Sequence, residues 1–281
     1  MKLSDTSPPS KAKRFLRLGS LLGAVVLASG CATVTHPNPD DPWESYNRGM
    51  YAFNDTLDRA LLKPIATGYD QLMPDPLQTC VHNIFNNLED AWSAINSFLQ
   101  GRGHDFFNTL GRVLFNSTMG LGGCIDVASM NGAKRIPNDF GVTLGVWGFD
   151  SGPYLVLPFL GSSSLRDGTA TLGTFAAGVS PVTPVFELDN VPVRNSIVAL
   201  YSIDARANLL DADKLINEVA LDRYSFIRDA YIQRRNAMVN SRRNNASLPD
   251  YSDNGDLPDY SDDADISAPP KAGADAAKAA Q

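Results

Sequence analysis

The chain has 281 residues, 43% hydrophobic and 20% charged, with a formal net charge of −7 and three cysteines. That is too apolar for a wholly disordered chain, too poor in long apolar runs for a polytopic membrane protein, and too acidic for a general nucleic-acid binder. Three cysteines without a CxxC exclude a disulfide-dense scaffold and a zinc or dithiol motif.

Residues 1–30 read as an export signal. Lys11, Lys13, Arg14 and Arg17 form a positive n-region, and Leu18 to Ala28 is an apolar stretch too short to span a bilayer well. Leu27-Ala28-Ser29-Gly30-Cys31 resembles the bacterial lipobox, with Ala28 where that consensus prefers leucine. The resemblance implies that Cys31 becomes the lipidated first residue of the mature protein, its thiol carrying diacylglycerol through a thioether. Ala32, in place of aspartate, implies no retention in the inner membrane. Several acyl chains on one cysteine anchor firmly, at about 0.8 kcal/mol per buried CH₂. The mature chain is therefore expected in the outer membrane, facing the periplasm. Residues 1–30 carry five Lys/Arg against Asp5, so the −7 of the whole chain becomes −11 without them.

After a linker (residues 31–40), residues 41–243 read as one helical domain. Asp41-Pro42-Trp43-Glu44 has the form of a helix start, with Asp41 as N-cap, Pro42 at N1 and Glu44 closing a capping box. Trp43, Tyr46, Met50, Phe53, Leu57 and Leu61 follow at spacings of three and four, one apolar stripe that Pro64 should end. A second start at Asp75-Pro76 leads into Leu77, Val81, Ile84, Phe85 and Leu88 on one face, continuing through Trp92, Ile95, Phe98 and Leu99 to Gly101. Phe106 to Leu114 repeats the pattern, and Gly120, Gly122 and Gly123 break it in a tight turn. Asn138 or Asp139 can cap a turn carrying Phe140, Leu144 and Trp147. Ser164 to Ala177, about Val193 to Tyr201, and one long segment from Ala205 to Arg243 are further helices. Strand patterning is weak throughout, so the expected class is all-α. Cys80 and Cys124 remain after lipidation. They can be buried thiols or a disulfide tying the second helix to the glycine-rich turn; an oxidising compartment favours the disulfide, worth about 2–4 kcal/mol.

From residue 244 to residue 281 the chain reads as a disordered acidic tail. Leu248-Pro249-Asp250-Tyr251-Ser252-Asp253 recurs as Leu257-Pro258-Asp259-Tyr260-Ser261-Asp262, and eight Asp face only Lys271 and Lys278 over residues 246–281. Low hydrophobicity and like charge cannot offset the entropy of ordering.

No catalytic constellation stands out. His36, His82 and His104 form no HExxH, Gly161 to Leu165 does not match a GxSxG elbow, and neither a P-loop nor GxGxxG occurs. His104-Asp105 reads as a cap or surface feature. The chain is read as a non-enzyme without metal or cofactor.

One stretch needs its own account. Gly141, Gly145 and Gly148, spaced four and three apart, would present a side-chain-free stripe on a helix. Tyr154-Leu155-Val156-Leu157-Pro158-Phe159-Leu160 is apolar apart from one hydroxyl, and Pro158 excludes a regular helix and disfavours a central strand. Two readings fit: a buried core loop, or an apolar surface facing lipid. An anchor at a bilayer favours the second.

The chain resembles the MlaA (VacJ) lipoproteins over about residues 41–240. Asp41-Pro42-Trp43-Glu44-Ser45-Tyr46-Asn47-Arg48-Gly49-Met50-Tyr51-Ala52-Phe53-Asn54 is similar to the family's opening motif. Asn83 to Leu88, Leu99-Gln100-Gly101, Phe115 to Gly120, Asp139 to Gly148, Gly152 to Pro158 and Leu165 to Gly168 match later blocks in order. The resemblance implies a ring-like bundle of amphipathic helices in the inner leaflet of the outer membrane. It implies removal of mislocalised phospholipid from the outer leaflet, delivery to an MlaC-like periplasmic carrier, and association with trimeric porins. Tyr154, Leu155, Leu157 and Phe159 are the candidates for a lipid-contacting wall, and Arg166 and Asp167 for structural groups. The alternative is a porin-tethering lipoprotein that moves no lipid. Part of the apolar stripes, that from Trp43 to Leu61 included, is then expected to face lipid rather than a core.

Overall fold

A computed structural model of the chain describes residues 41–244. The expected signal, Cys31, the linker and the tail beyond residue 244 lie outside the described residues. The chain divides into Met1–Ala246 and Ser247–Gln281, and every described residue belongs to the first unit.

The fold is helical with one small hairpin. Helix α1 (Glu44–Leu57) runs through a π turn (Asp58–Leu62) into α2 (Lys63–Leu72). Pro64 does not end the helix as its sequence context suggests. It lies in the first turn of α2, directly after the π turn, whose wider i→i+5 bonding (Lys63 N–H to the Asp58 carbonyl) precedes the missing N–H of the proline. Helix α3 (Asp75–Leu99) carries Pro76 in its first turn and packs along α4 (Gly103–Thr118). Short helices α5 (Val127–Met130) and α6 (Phe140–Val146) follow, capped by the Asp126 and Asp139 carboxylates.

Strands β1 (Tyr154–Leu157) and β2 (Gly161–Ser164) form an antiparallel hairpin, with Tyr154 opposite Ser164 and Leu157 opposite Gly161. The hairpin is a small addition to the expected helical class: Pro158, which disfavours a central strand, falls just past β1, where no ladder N–H is required. Ser164 caps α7 (Leu165–Ala176) through its hydroxyl. The chain continues through α8 (Thr183–Phe186), α9 (Val191–Ala207), α10 (Leu210–Val219) and α11 (Arg223–Arg243). The segment expected as one helix from Ala205 to Arg243 is thus interrupted twice. Ala220 is extended, and the Asp222 carboxylate starts α11 by accepting from Tyr224 N–H. Cys80 and Cys124 are joined as a disulfide, with Cα atoms 4.1 Å apart.

Asp41 does not cap α1. It is fully buried, accepts from Asn47 Nδ2 at 2.7 Å and from the Tyr224 hydroxyl, and pairs with Arg228. It sits beside a compact cluster of Met50, Tyr154, Val156 and Tyr224, with Tyr46, Tyr51, Tyr231 and Ile232 packed around it. Pinning Asp41 to α11 links the start of the domain to its end.

Candidate functional site

The packed pair α3 and α4 buries the wrong face for a water-soluble bundle. On α3, Asn87, Asp90, Ser93, Ala94, Asn96 and Ser97 are buried, at helical spacing. On α4 the buried residues are Asp105, Thr109, Arg112 and Asn116. Asp90 pairs with Arg112 at 3.0 Å and Arg135 at 2.8 Å, and Arg112 also reaches Asp126 at 3.0 Å. Ser93 accepts from Asn138 N–H, Thr143 donates to Asn96, and Gln100 donates to Asn138 and Thr143. Apolar residues of the same helices point outward, Phe98 and Phe107 among them. With Leu72, Leu121, Met130 and Phe159 from elsewhere in the domain, they are each 66–85% exposed. An exposed apolar surface of this extent needs a non-aqueous neighbour. A buried ion pair is retained when each charge keeps several partners, and Arg112 has four. No described helix is long and apolar enough to cross a membrane.

The hairpin is held by two asparagines of α1, seven residues apart and so on one helical face. Asn47 donates to the Tyr154 carbonyl at 3.0 Å and accepts from Val156 N–H at 2.8 Å. Asn54 donates to the Leu157 carbonyl at 2.9 Å and accepts from Phe159 N–H at 2.8 Å. Each side chain copies a strand partner, so the free edge of β1 is capped by a helix. Phe159 sits at the hairpin tip with φ 66°, a conformation that bulky residues rarely adopt. It is held there by Asn54 and by an edge-on contact with Phe53, ring centroids 5.7 Å apart. Leu160 beside it is exposed as well.

Between α1 and the α10–α11 corner lies a cavity of about 370 Å³. Arg48, Arg59, Lys63 and Arg223 face Asp55, Asp58, Asp213 and Asp222 across it. Burial raises the Asp213 carboxyl, but hydrogen bonds from Lys63, Arg206 and Arg223 outweigh this and hold it at about 2. The Arg48 hydrogen bond holds Asp222 at about 2 against a smaller burial effect. These carboxylates are locked as anions, unsuited to proton transfer near neutrality. Glu89 is taken up by Arg135 and the Tyr201 hydroxyl, while His104 projects outward beside Asp105. Among the described residues no group of three or more His, Cys, Asp or Glu could hold a metal ion.

Comparison with known proteins gives this architecture a family. Residues 39–238 match the family model described as MlaA lipoprotein. The chain is 36% identical to the intermembrane phospholipid transport system lipoprotein MlaA of Escherichia coli (strain K12), covering 80% of this chain and 89% of that protein. It is 34% identical to the Haemophilus influenzae protein of the same name, over 79% and 90% of the two chains. The chain belongs to the MlaA lipoprotein family. A solved chain from work on the structural basis for maintenance of bacterial outer membrane lipid asymmetry superimposes with a TM-score of 0.60 at 33% identity, covering 71% of this chain and 98% of that one.

Within this MlaA fold the four candidate wall residues separate. Tyr154 is buried in the tyrosine cluster, its hydroxyl 2.8 Å from Ser162 Oγ. It belongs to the core, because β1 alternates and residues 154 and 156 take the inward face. Leu155 and Leu157 are half-buried on the other face, and Phe159 is exposed. The glycine stripe packs against charge. A Cβ on Gly141 would meet Asp167 and Arg235, and one on Gly145 would meet Val239 and Arg166. Gly148 lies past the end of α6 and takes no part. Asp167 accepts from Arg166 at 2.9 Å and Tyr231 at 2.7 Å and forms an ion pair with Arg235 at 2.8 Å, a well-partnered structural group. Sequence reasoning missed Asn47, Asn54 and Leu160; the Asn-x₆-Asn spacing on one helix face is the signal that could have found the first two.

Proposed function

We propose that this chain removes mislocalised phospholipid from the outer leaflet of the outer membrane and passes it to a periplasmic carrier, maintaining lipid asymmetry. The observation that carries the reading is the inverted polarity, with charged and amide groups paired inside and aromatic and aliphatic side chains outside. A molecule of this kind rests among acyl chains while offering polar groups to a head group. Anchoring through acylated Cys31 would keep it in the periplasm-facing leaflet without a spanning helix. Its partners would be a trimeric porin and an MlaC-like carrier. Leu155, Leu157, Phe159 and Leu160 form the proposed lipid contact at the hairpin; Tyr154 supports it from beneath.

Lipid extraction from the detergent-solubilised protein, followed by mass spectrometry, tests the proposal. Intact phospholipid is the expected result. Lyso-lipid would point to an enzyme, and no lipid at all would leave porin tethering as the function.

A further inference from the structure

Arg242 and Arg243, at the end of α11, meet the α3–α4 junction and the end of α6 around an open cavity of about 760 Å³. Arg102, Arg242 and Arg243 line it with one carboxylate, Asp105, which Arg102 engages at 2.6 Å. The other buried arginines of the domain (Arg112, Arg166, Arg206 and Arg228) each pair with a carboxylate. Arg242 differs. It is 6% exposed, and among the described residues its guanidinium donates only to the Pro137 carbonyl at 3.2 Å and Ser241 Oγ at 3.5 Å. Its buried Nε has no hydrogen-bond partner among the described residues. Arg243 donates to the Gly145 carbonyl at 2.6 Å and, like Arg242, makes no ion pair among the described residues.

A cation near a helix C-terminus gains about 0.3–1 kcal/mol from the aligned carbonyls. That accounts for exposed Arg243. It does not account for Arg242, because burying an uncompensated charge costs several kcal/mol. Burial, joined by the like charge of Arg102 and only partly offset by Asp105, lowers the Arg242 pKa. The site is short of an anion.

The surroundings indicate which kind. Phe98 and Leu99 precede the lining residue Gln100, and Trp147 follows the lining residue Val146; all three are exposed. Trp147 Nε1 donates to the Leu99 carbonyl at 3.1 Å, which ties together the two apolar residues that flank the lining residues Val146 and Gln100. An arginine pocket whose lining residues are flanked in the chain by exposed Phe98, Leu99 and Trp147 combines the groups found at a membrane interface, charge for head groups and rings for the acyl boundary.

We propose that this cavity is a phosphate-binding site, with Arg242 and Arg243 as the donors. The exposed apolar residues flanking the lining favour a phosphodiester carried by a lipid over free phosphate, and only this choice of source rests on the lipid-transport reading. The test is isothermal titration of the detergent-solubilised full-length protein with dihexanoylphosphatidylglycerol, dihexanoylglycerol and inorganic phosphate. The phospholipid is expected to bind, and Arg243→Gln and Arg242→Gln each to weaken it at least about tenfold, with dihexanoylglycerol binding far more weakly. Arg243 is exposed, so its variant keeps the test decisive if Arg242→Gln fails to fold. Equal, arginine-dependent binding of inorganic phosphate would support the site and assign it to free phosphate. Unchanged phospholipid affinity in Arg243→Gln, or dihexanoylglycerol binding as tightly as the phospholipid, would overturn it. Lipid extraction keeps the two readings apart. Phospholipid recovered equally from wild type and variants, with affinity unchanged, removes the site and leaves transport. A wild type without extractable phospholipid but with arginine-dependent phosphate binding removes transport and leaves the site.

Discussion

Tyr154 and Phe159 lie five residues apart in one apolar run and take opposite roles. Tyr154 packs against Tyr224 and Tyr231, ring centroids 6.3 and 5.9 Å away, and its loss would leave a cavity under the hairpin. Tyr154→Ala should destabilise the fold by about 3–5 kcal/mol, read from denaturant midpoints in detergent. Phe159 projects from the tip, so Phe159→Asp should leave the unfolding midpoint nearly unchanged and impair lipid transport, scored as loss of outer-membrane barrier function. A normal barrier in that variant would count against the hairpin as the lipid contact. The run's apolar character was readable from sequence, but its division was not. Pro158 hid the strand, and only the strand's alternation decides which side chain faces the core.

At the scale of elements, α1 and the hairpin are one unit, since Asn47 and Asn54 supply the hydrogen bonds that a third strand would supply. Asn54→Ala strands the Leu157 carbonyl and Phe159 N–H and should cost about 1–3 kcal/mol, with lower protection of the Phe159 amide in hydrogen exchange. Cys80 near the start of α3 and Cys124 past the glycine-rich turn close a loop across α3 and α4. Reductant should therefore lower wild-type stability by about 2–4 kcal/mol and leave a Cys80→Ser/Cys124→Ser double variant unmoved. A wild type indifferent to reductant would place no stability in that bond. Helix starts at Asp139 and Ser164 were legible, because a capping side chain acts on its own next turn. The continuation through Pro64 was not legible, because the π turn that precedes it leaves no composition signal.

Across the whole domain, Asp213 ties four elements together. It accepts from Lys63 of α2 at 2.7 Å, Arg206 of α9 at 3.1 Å and Arg223 of α11. Arg206 in turn holds Asp58 of the π turn at 2.7 Å. The folded Asp213 carboxyl is held at about 2, below the roughly 3.9 of an unfolded chain. The unfolded state binds the proton more readily, so this stabilisation is complete above about pH 4 and is lost as pH falls towards about 2. Asp213→Asn should lower the midpoint at neutral pH and flatten its decline over that acid range. The apolar exterior makes a separate prediction. Mature protein carrying Cys31→Ser should still sediment with phospholipid vesicles, and Phe98→Glu with Leu121→Glu should weaken that association. A Cys31→Ser chain that stays monomeric and free of vesicles would remove the membrane role of the outer faces.

The sequence by itself determined the helical class, the family, most helix starts and the absence of a recognisable catalytic motif. Those features are local, or are carried by motifs in linear order. Which face of each helix is the inside was decided only by the tertiary structure. A period of three and four separates an apolar stripe from a polar one but is blind to the medium each will meet. Asp90, Asn96, Arg112 and Asn116 turn inward because they find one another across α3, α4 and their neighbours, leaving Phe98, Phe107 and the other rings outside. Pairing of that kind depends on residues far apart in the chain, and it converts an ordinary amphipathic pattern into a surface suited to lipid.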